Sequence, residues 1–162
     1  MRPAQISLTK YIVNEFQLKV NKAFDSQKPT VVQVDDLQLQ PEATALSTDR
    51  RSWKVILRLT LKAVPERNMP YTFSIEVVGT VLVDQTVKDE NIERLIQING
   101  MSLVFSVTRE IVRAMTSRGP WGGVLLPTVT FWEPKPVPSA KEPEQKQEPS
   151  SVASVAEAPS KG

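Results

Sequence analysis

A helix that is apolar on nearly every side constrains the fold of this chain more than any other feature. The pattern predicts it over residues 102–118, with Ser102 at the N-cap and Gly119-Pro120 as the stop. One face is marked by Met101, Val104, Phe105, Thr108, Ile111, Val112 and Met115, and a second by Leu103, Val107 and Ala114. One sheet can cover only one side of such a helix. The surplus apolar surface therefore predicts self-association or a surface for apolar ligands.

Alternation of apolar and polar residues predicts strands ahead of this helix. Residues 15–20 read as a half-buried strand, and residues 31–46 as short extended segments around Pro41. The clearest alternation covers residues 53–63 and 71–84, which predicts a long antiparallel hairpin. Gly79, within the second strand of this hairpin, indicates a bulge or a close approach of two chain segments.

A second, shorter helix is predicted over residues 89–98, and Asn99-Gly100 is expected to separate it from the longer one. Strands that come first and helices that follow are typical of an α+β fold. The sequence therefore predicts an antiparallel sheet of about four strands with two helices packed on one face.

The last thirty residues differ from the rest in composition. Residues 133–162 contain six of the thirteen prolines, together with Ser, Glu, Lys, Gln and Ala, and they contain no aromatic residue. Such a segment cannot bury enough apolar surface to offset the entropy of ordering. We therefore predict one folded domain over residues 1–132 and a disordered tail over residues 133–162.

Composition excludes several classes of function. The chain has neither cysteine nor histidine, so disulfides, Cys/His zinc sites and His-activated nucleophiles are impossible. The net charge of +2 is scattered, without the basic cluster typical of nucleic-acid binding. The sequence shows neither a secretory signal nor an apolar run long enough to span a bilayer. We expect a cytoplasmic protein without catalytic activity, metal or cofactor that binds neither nucleic acid nor membrane.

One set of residues lies in the long helix and in the loop after it: Phe105, Arg109, Glu110, Ser117-Arg118-Gly119, Trp121, Leu125-Leu126 and Val129-Thr130-Phe131. At these positions the chain resembles SecB, the bacterial protein-export chaperone family. The resemblance covers roughly residues 11–132 and is specific between Phe105 and Phe131. The chain departs from the family pattern at Ser106-Val107, at Gly122-Gly123, at Thr130 and in its slightly basic charge.

The resemblance implies a holdase chaperone that keeps unfolded or precursor polypeptides competent for export. It implies a homotetramer, built as a dimer of dimers, with helices at the interface; the candidate interface residues are Leu103, Val107, Ile111 and Met115. It also implies an apolar groove between helices and sheet, with the candidate residues Trp53, Phe73, Val78, Leu82, Phe105, Trp121, Leu125, Phe131 and Trp132. For Trp53, Phe73 and Phe105, packing in the core is the alternative role.

Familiar SecB members dock the SecA motor through acidic groups on the sheet. Glu15 and Glu76 are the candidate docking carboxylates here, and Lys19 stands where another acid is expected. For Glu76, a solvated strand residue is the alternative role. The alternative function is an adaptor, or a dedicated chaperone for one partner such as an antitoxin, that is not coupled to SecA.

Overall fold

A computed structural model describes residues 4–30, 32–62, 64 and 67–132. The predicted disorder of residues 133–162 lies outside the described residues. Four strands come first along the chain: β1 (Ile6–Val20), β2 (Leu37–Ala45), β3 (Ser52–Leu61) and β4 (Tyr71–Val83). A helical stretch follows, with α1 (Asp89–Leu95), a π-helical turn (Ile96–Gly100) and α2 (Met101–Thr116).

The four strands form one antiparallel sheet in the order β1-β4-β3-β2. The predicted hairpin is confirmed as the two central strands β3 and β4, in which Trp53 pairs with Val81 and Leu61 with Phe73. The helices pack on one face, called here the inner face, whose β3 and β4 side chains are almost completely buried. The predicted α+β fold with a four-stranded antiparallel sheet is therefore confirmed.

β1 is much longer than predicted and carries two bulges. The register with β4 shifts between Leu8 and Lys10 and again between Val13 and Glu15. Because each bulge inserts one unpaired residue, it reverses the alternation of side chains along the strand. The apolar–polar alternation of the sequence is therefore interrupted ahead of residue 15. For this reason the sequence predicted only the regular C-terminal part of β1, residues 15–20.

β2 is a single strand that runs through Pro41, where the sequence predicted separate short segments. Pro41 stands opposite Leu57 in the register with β3. β2 lies at the edge of the sheet, so an imide nitrogen there need not donate to a neighbouring strand. The alternation of Leu39, Pro41, Ala43 and Ala45 on the inner face then continues without interruption.

The prediction of two helices separated at Asn99-Gly100 is wrong, because the structure contains one long helix. Gly100 has φ −62° and ψ −46°, which is helical geometry. The chain passes from α1 to α2 through the π-helical turn, a one-residue expansion that keeps the backbone helical. Ser102 is therefore not an N-cap; its hydroxyl donates to the Ile98 carbonyl, 2.7 Å away, within the helix.

The end of the helix is close to its predicted position, and Gly119 has a different role there than expected. A positive φ occurs at Gly122 (80°) rather than at Gly119. At Gly119 the constraint is space: an added Cβ would lie 2.5 Å from the Tyr71 hydroxyl oxygen. That hydroxyl donates to the Thr116 carbonyl (3.2 Å) and accepts from the Trp121 amide (3.0 Å). Tyr71 thus joins the sheet to the end of α2.

The segment after α2, residues 122–132, runs back along the helix in extended form and packs on the inner face beside it. The Val124 amide donates to the Thr116 hydroxyl, 2.9 Å away, and Val124 and Leu126 are buried. At the far end, Phe131 meets Phe105 edge to face with the ring centroids 6.0 Å apart. The helix and this segment together form the second layer of the domain.

None of the helices in the described part of the chain has the length and apolar character needed to cross a bilayer.

Candidate functional site

A cavity of about 810 Å³ opens between the two layers at the start of the helical stretch. We call it the aromatic groove, because Trp53, Phe131 and Trp132 line it. The other lining residues are Pro41 and Ala43 from β2, Glu93, Arg94, Gln97, Ile98 and Met101 from the helical stretch, and Thr130. The strand, the helix and the extended segment therefore each supply one wall, and the lining is mostly apolar.

Trp53 is fixed in the wall of this groove by the turn between β2 and β3. Its Nε1 donates to the Arg50 carbonyl, 2.7 Å away, and the Arg50 guanidinium lies 5.6 Å from the ring centroid. Arg50 also pairs with Glu93 at the start of the helix, with 2.9 Å between Nη2 and Oε2. The indole is only 6 % exposed, so it offers one edge to the groove as a rigid surface.

Phe131 and Trp132 form the opposite, more accessible wall. Phe131 is half-buried against Phe105, which is itself buried at 3 % exposure and does not reach the cavity surface. Trp132 is 49 % exposed. An exposed indole that faces a largely apolar cavity is a surface that an incoming apolar side chain can cover.

The remaining predicted groove residues lie elsewhere in the protomer. Phe73 is in the core at 4 % exposure, and Leu125 is 67 % exposed but does not line the cavity. Val78 and Leu82 are on the outer face of the sheet, opposite the helices. Trp121 follows the other end of α2, where its ring packs on Phe24 (5.3 Å between centroids). The groove role of these residues remains a prediction.

Sequence reasoning did not identify the aliphatic part of the lining. Pro41 and Ala43 reach the groove because β2 is continuous, and their alternation with Leu39 was the available signal. Ile98 and Met101 reach it because the helix continues through the π-helical turn. Both omissions follow from the two errors in the predicted elements.

The predicted interface residues form one stripe along the helix, on the side that faces β1. Leu103, Val107 and Ile111 are half-buried and Met115 is 40 % exposed. Leu103 lines the same crevice as Ile6 of β1, which locates the stripe beside the edge strand. On the inner face of that strand, Tyr11 and Val13 are 50 % and 41 % exposed. Helix and edge strand together present an apolar surface that the protomer does not cover, and its role as an interface remains a prediction.

The predicted docking carboxylates, Glu15 and Glu76, are cross-strand neighbours on the outer face. Glu76 accepts from the Asn14 amide, 2.6 Å away, and from the Arg58 guanidinium, which also pairs with Glu42. These two hydrogen bonds, that of Asn14 first, hold the pKa of Glu76 below its ordinary value. Glu15 is exposed and accepts from the Gln17 amide, 2.6 Å away.

Glu76→Gln is expected to lower the free energy of unfolding at neutral pH, because it removes a carboxylate bound to Asn14 and Arg58. Since the folded pKa is lowered, this stabilisation is present above the ordinary glutamate pKa of about 4.3 and is lost as the pH falls through the folded value. The difference between wild type and variant should therefore shrink between pH 7 and pH 3 in urea unfolding. Glu15→Gln is the control, and a difference for Glu76→Gln that does not depend on pH would contradict the assignment.

Comparison with known proteins agrees with this architecture. The sequence matches the family "Preprotein translocase subunit SecB" over residues 3–133. No curated protein sequence matches the chain. Among solved structures, it is similar to a SecB-like chaperone of Mycobacterium tuberculosis in complex with a ChAD peptide from the HigA1 antitoxin. That match has 15 % identity and a TM-score of 0.59, over 81 % of this chain and 94 % of the other.

A protein of unknown function from Streptococcus agalactiae is a more distant match, with 11 % identity and a TM-score of 0.43 over 76 % of this chain and 97 % of the other. The family match covers all the described strands and helices, and it includes the three aromatic residues of the groove. The chain belongs to the SecB family.

Proposed function

We propose that this protein is a holdase chaperone that binds apolar segments of non-native polypeptides in the aromatic groove. The observation that carries the proposal is the groove of about 810 Å³, lined by Trp53, Phe131 and Trp132 in a fold of the SecB family. A cavity of this size accommodates several side chains at once. Binding by apolar contact does not depend on a particular client sequence, and it requires neither catalysis nor a cofactor.

The assembly that this proposal includes is a homotetramer, built as a dimer of dimers. The helix stripe (Leu103, Val107, Ile111, Met115) and the neighbouring edge strand leave apolar surface without a partner in one protomer. Pairing with further copies of the chain would bury this surface. It would also bring several aromatic grooves into one particle, so that a long unfolded client could occupy more than one of them.

The purified protein is expected to slow the aggregation of a chemically denatured client when present at one tetramer per client. Trp132→Ser should weaken the suppression about tenfold, because a large exposed aromatic in a binding site contributes on the order of 1–2 kcal/mol. Ile98→Ser, in the opposite wall, should act in the same direction. The measurement is light scattering at increasing chaperone concentration.

Leu125→Ser is the matched control for this experiment. Leu125 is apolar and 67 % exposed, but it does not line the aromatic groove. It should therefore leave the suppression unchanged. Failure of the wild-type protein to protect several different clients would end the holdase proposal. If Leu125→Ser and Trp132→Ser weakened aggregation suppression equally, the binding surface would have to be assigned outside the aromatic groove.

Export coupled to SecA, in the cytoplasm, is the finer form of the proposal. In this form Glu15 and Glu76 would be the docking carboxylates. Glu15 is free to meet a partner, whereas the Glu76 side chain is 18 % exposed and bound to Arg58. Crosslinking of the tetramer to SecA, with Glu15→Lys as the variant, tests this form separately from client binding.

A dedicated chaperone for one partner, such as an antitoxin, is the second candidate. The structural match to a SecB-like chaperone in complex with an antitoxin peptide favours it. Both candidates would use the same groove, so groove variants do not separate them. Chains that copurify with the protein from its own cells do: many different clients support the general holdase, and a single recurrent partner supports the dedicated chaperone.

A further inference from the structure

The outer face of the sheet carries an apolar row that the aromatic groove does not use. Ile12 of β1, Val78 of β4 and Ile56 of β3 are neighbours in the strand register and lie side by side across three strands. Ile12 is 49 % exposed, and Val78 and Ile56 are half-buried. Leu82, 42 % exposed, extends the apolar surface along β4 on the same face. We call these four residues the outer patch.

The two bulges of β1 are what bring Ile12 to this face. Regular alternation from Phe16 and Leu18, which face the helix, would point Ile12 inward as well. The bulge between Val13 and Glu15 reverses the alternation, and the one between Leu8 and Lys10 restores it. Only the segment between the bulges is turned over. Bulges that re-aim side chains are characteristic of functional strand edges.

The charges around the outer patch are predominantly positive on one side. Lys10 and Lys54 flank Thr80 in the next row of the register, on β1 and β3 respectively. Both are exposed, and within the described chain neither forms an ion pair. Two strands apart, the lysines are separated by about 10 Å.

The carboxylates of this face cannot neutralise these lysines. Glu42 and Glu76 both pair with Arg58. Glu15 stands opposite Glu76, on the other side of the apolar row from Lys10. The outer patch therefore has two unpaired cations at one border. At the other border Glu42 and Glu76 share the single cation Arg58, and Glu15 has no cationic partner in the described chain, so an acidic segment is expected at the lysine border only.

We propose that the outer patch, bordered by Lys10 and Lys54, docks an acidic segment of a partner protein in which carboxylates alternate with apolar side chains. Charge complementarity selects such a segment over a basic one, and the aliphatic row selects it over a nucleic acid, for which stacking aromatic groups or free arginines would be expected. The surface lies across the sheet from the aromatic groove. A partner and an unfolded client can therefore bind at the same time, and this docking does not require the holdase activity.

The test uses the full-length protein and a fluorescein-labelled peptide of four Glu-Leu repeats, followed by fluorescence anisotropy. The wild-type protein should bind this peptide more tightly than a Lys-Leu or a Glu-Ser peptide, and the binding should weaken with salt. The double variant Lys10→Glu/Lys54→Glu should lose at least tenfold in affinity, and Ile12→Ser several-fold. The control Lys22→Glu/Lys88→Glu changes the net charge equally at exposed positions away from the patch and should bind like wild type.

Three results would overturn the proposal. The first is binding that Lys10→Glu/Lys54→Glu does not affect but Trp132→Ser abolishes, which would assign the peptide to the aromatic groove. The second is an equal loss of peptide affinity in Lys10→Glu/Lys54→Glu and in the control Lys22→Glu/Lys88→Glu, which would indicate a nonspecific effect of net charge. The third is tighter binding of a single-stranded oligonucleotide that depends on the same lysines but not on Ile12. Aggregation suppression is measured in parallel, and Lys10→Glu/Lys54→Glu should suppress aggregation to the same extent as wild type. The docking proposal is thus tested independently of the holdase proposal.

Discussion

Ile111→Asp is expected to dissociate the assembly into smaller species. Ile111 lies in the centre of the helix stripe, half-buried beside the edge strand. In a tetramer held together by this stripe, every copy would carry one carboxylate into an apolar contact. Burying an unpaired charge costs several kcal/mol, which exceeds what the neighbouring apolar contacts can offset. Light scattering coupled to size exclusion should find a mass that falls from about four chains of 18.1 kDa toward that of one or two.

Two further variants separate this effect from unfolding. Met115→Asp introduces the same charge at the end of the stripe, where the side chain is 40 % exposed. The substitution should therefore cost the single protomer little stability. Val34→Asp replaces another exposed aliphatic residue, 46 % accessible and outside the stripe, and should leave the mass unchanged. A wild-type protein of one chain's mass, or an unchanged mass in both stripe variants, would contradict the proposed interface. Circular dichroism shows whether each variant keeps its helix.

The central part of the fold could be predicted because its signal is local. Alternation along residues 53–61 and 71–83 reflects a sheet that is buried on one face only, and the two strands are joined by a single loop. The order of strands and helices then gives the layer arrangement. The π-helical turn could not be predicted in this way. Asn99-Gly100 is a common helix break, yet Ile96 and Gly100 are buried within a continuous helical backbone, and burial of this kind depends on tertiary packing that the local pattern does not show.

The groove could be predicted only in part, because an aromatic residue does not reveal which surface it will reach. Trp53, Phe131 and Trp132 meet in one cavity although they come from different elements. Trp121 has a similar loop setting, yet its Nε1 donates to the Asn21 carbonyl, 3.2 Å away, and it secures two loops at the other end of the helix. The same limit on prediction applies to Ile12 of β1. Which face of the sheet its side chain lies on depends on the two bulges, and these are seen only in the strand register.

Helix and sheet approach each other closely at Gly79, and Gly79→Ala is expected to lower the free energy of unfolding by about 1–3 kcal/mol. An added Cβ would lie 2.8 Å from Leu8 Cδ1 and 2.8 Å from Val104 Cγ2. Val104 is completely buried under the helix, so it cannot move aside without disturbing the core. The close approach expected from the sequence at this glycine is thus the point where helix and sheet touch. Urea unfolding at a fixed protein concentration measures the change.

Gly100→Ala is the matched control, because the same methyl group should act in the opposite direction there. Its Cβ would meet only Ile96, at 3.5 Å or more, and φ is −62°. Alanine in a continuous helix is favoured over glycine by about 0.5–1 kcal/mol, so this variant should be more stable than wild type. Loss of stability in Gly100→Ala would speak against the continuous helix.

The partner of the Gly79 contact can be identified with a double variant. Val104→Ala alone should destabilise the protein, because it leaves a cavity under the helix. In the Gly79→Ala background, however, the shortened side chain makes room for the new methyl group. The double variant should therefore be more stable than the sum of the two single effects by about 1 kcal/mol. Strict additivity would mean that the cost at Gly79 arises on the Leu8 side, in β1, and that the helix does not set the spacing between the layers.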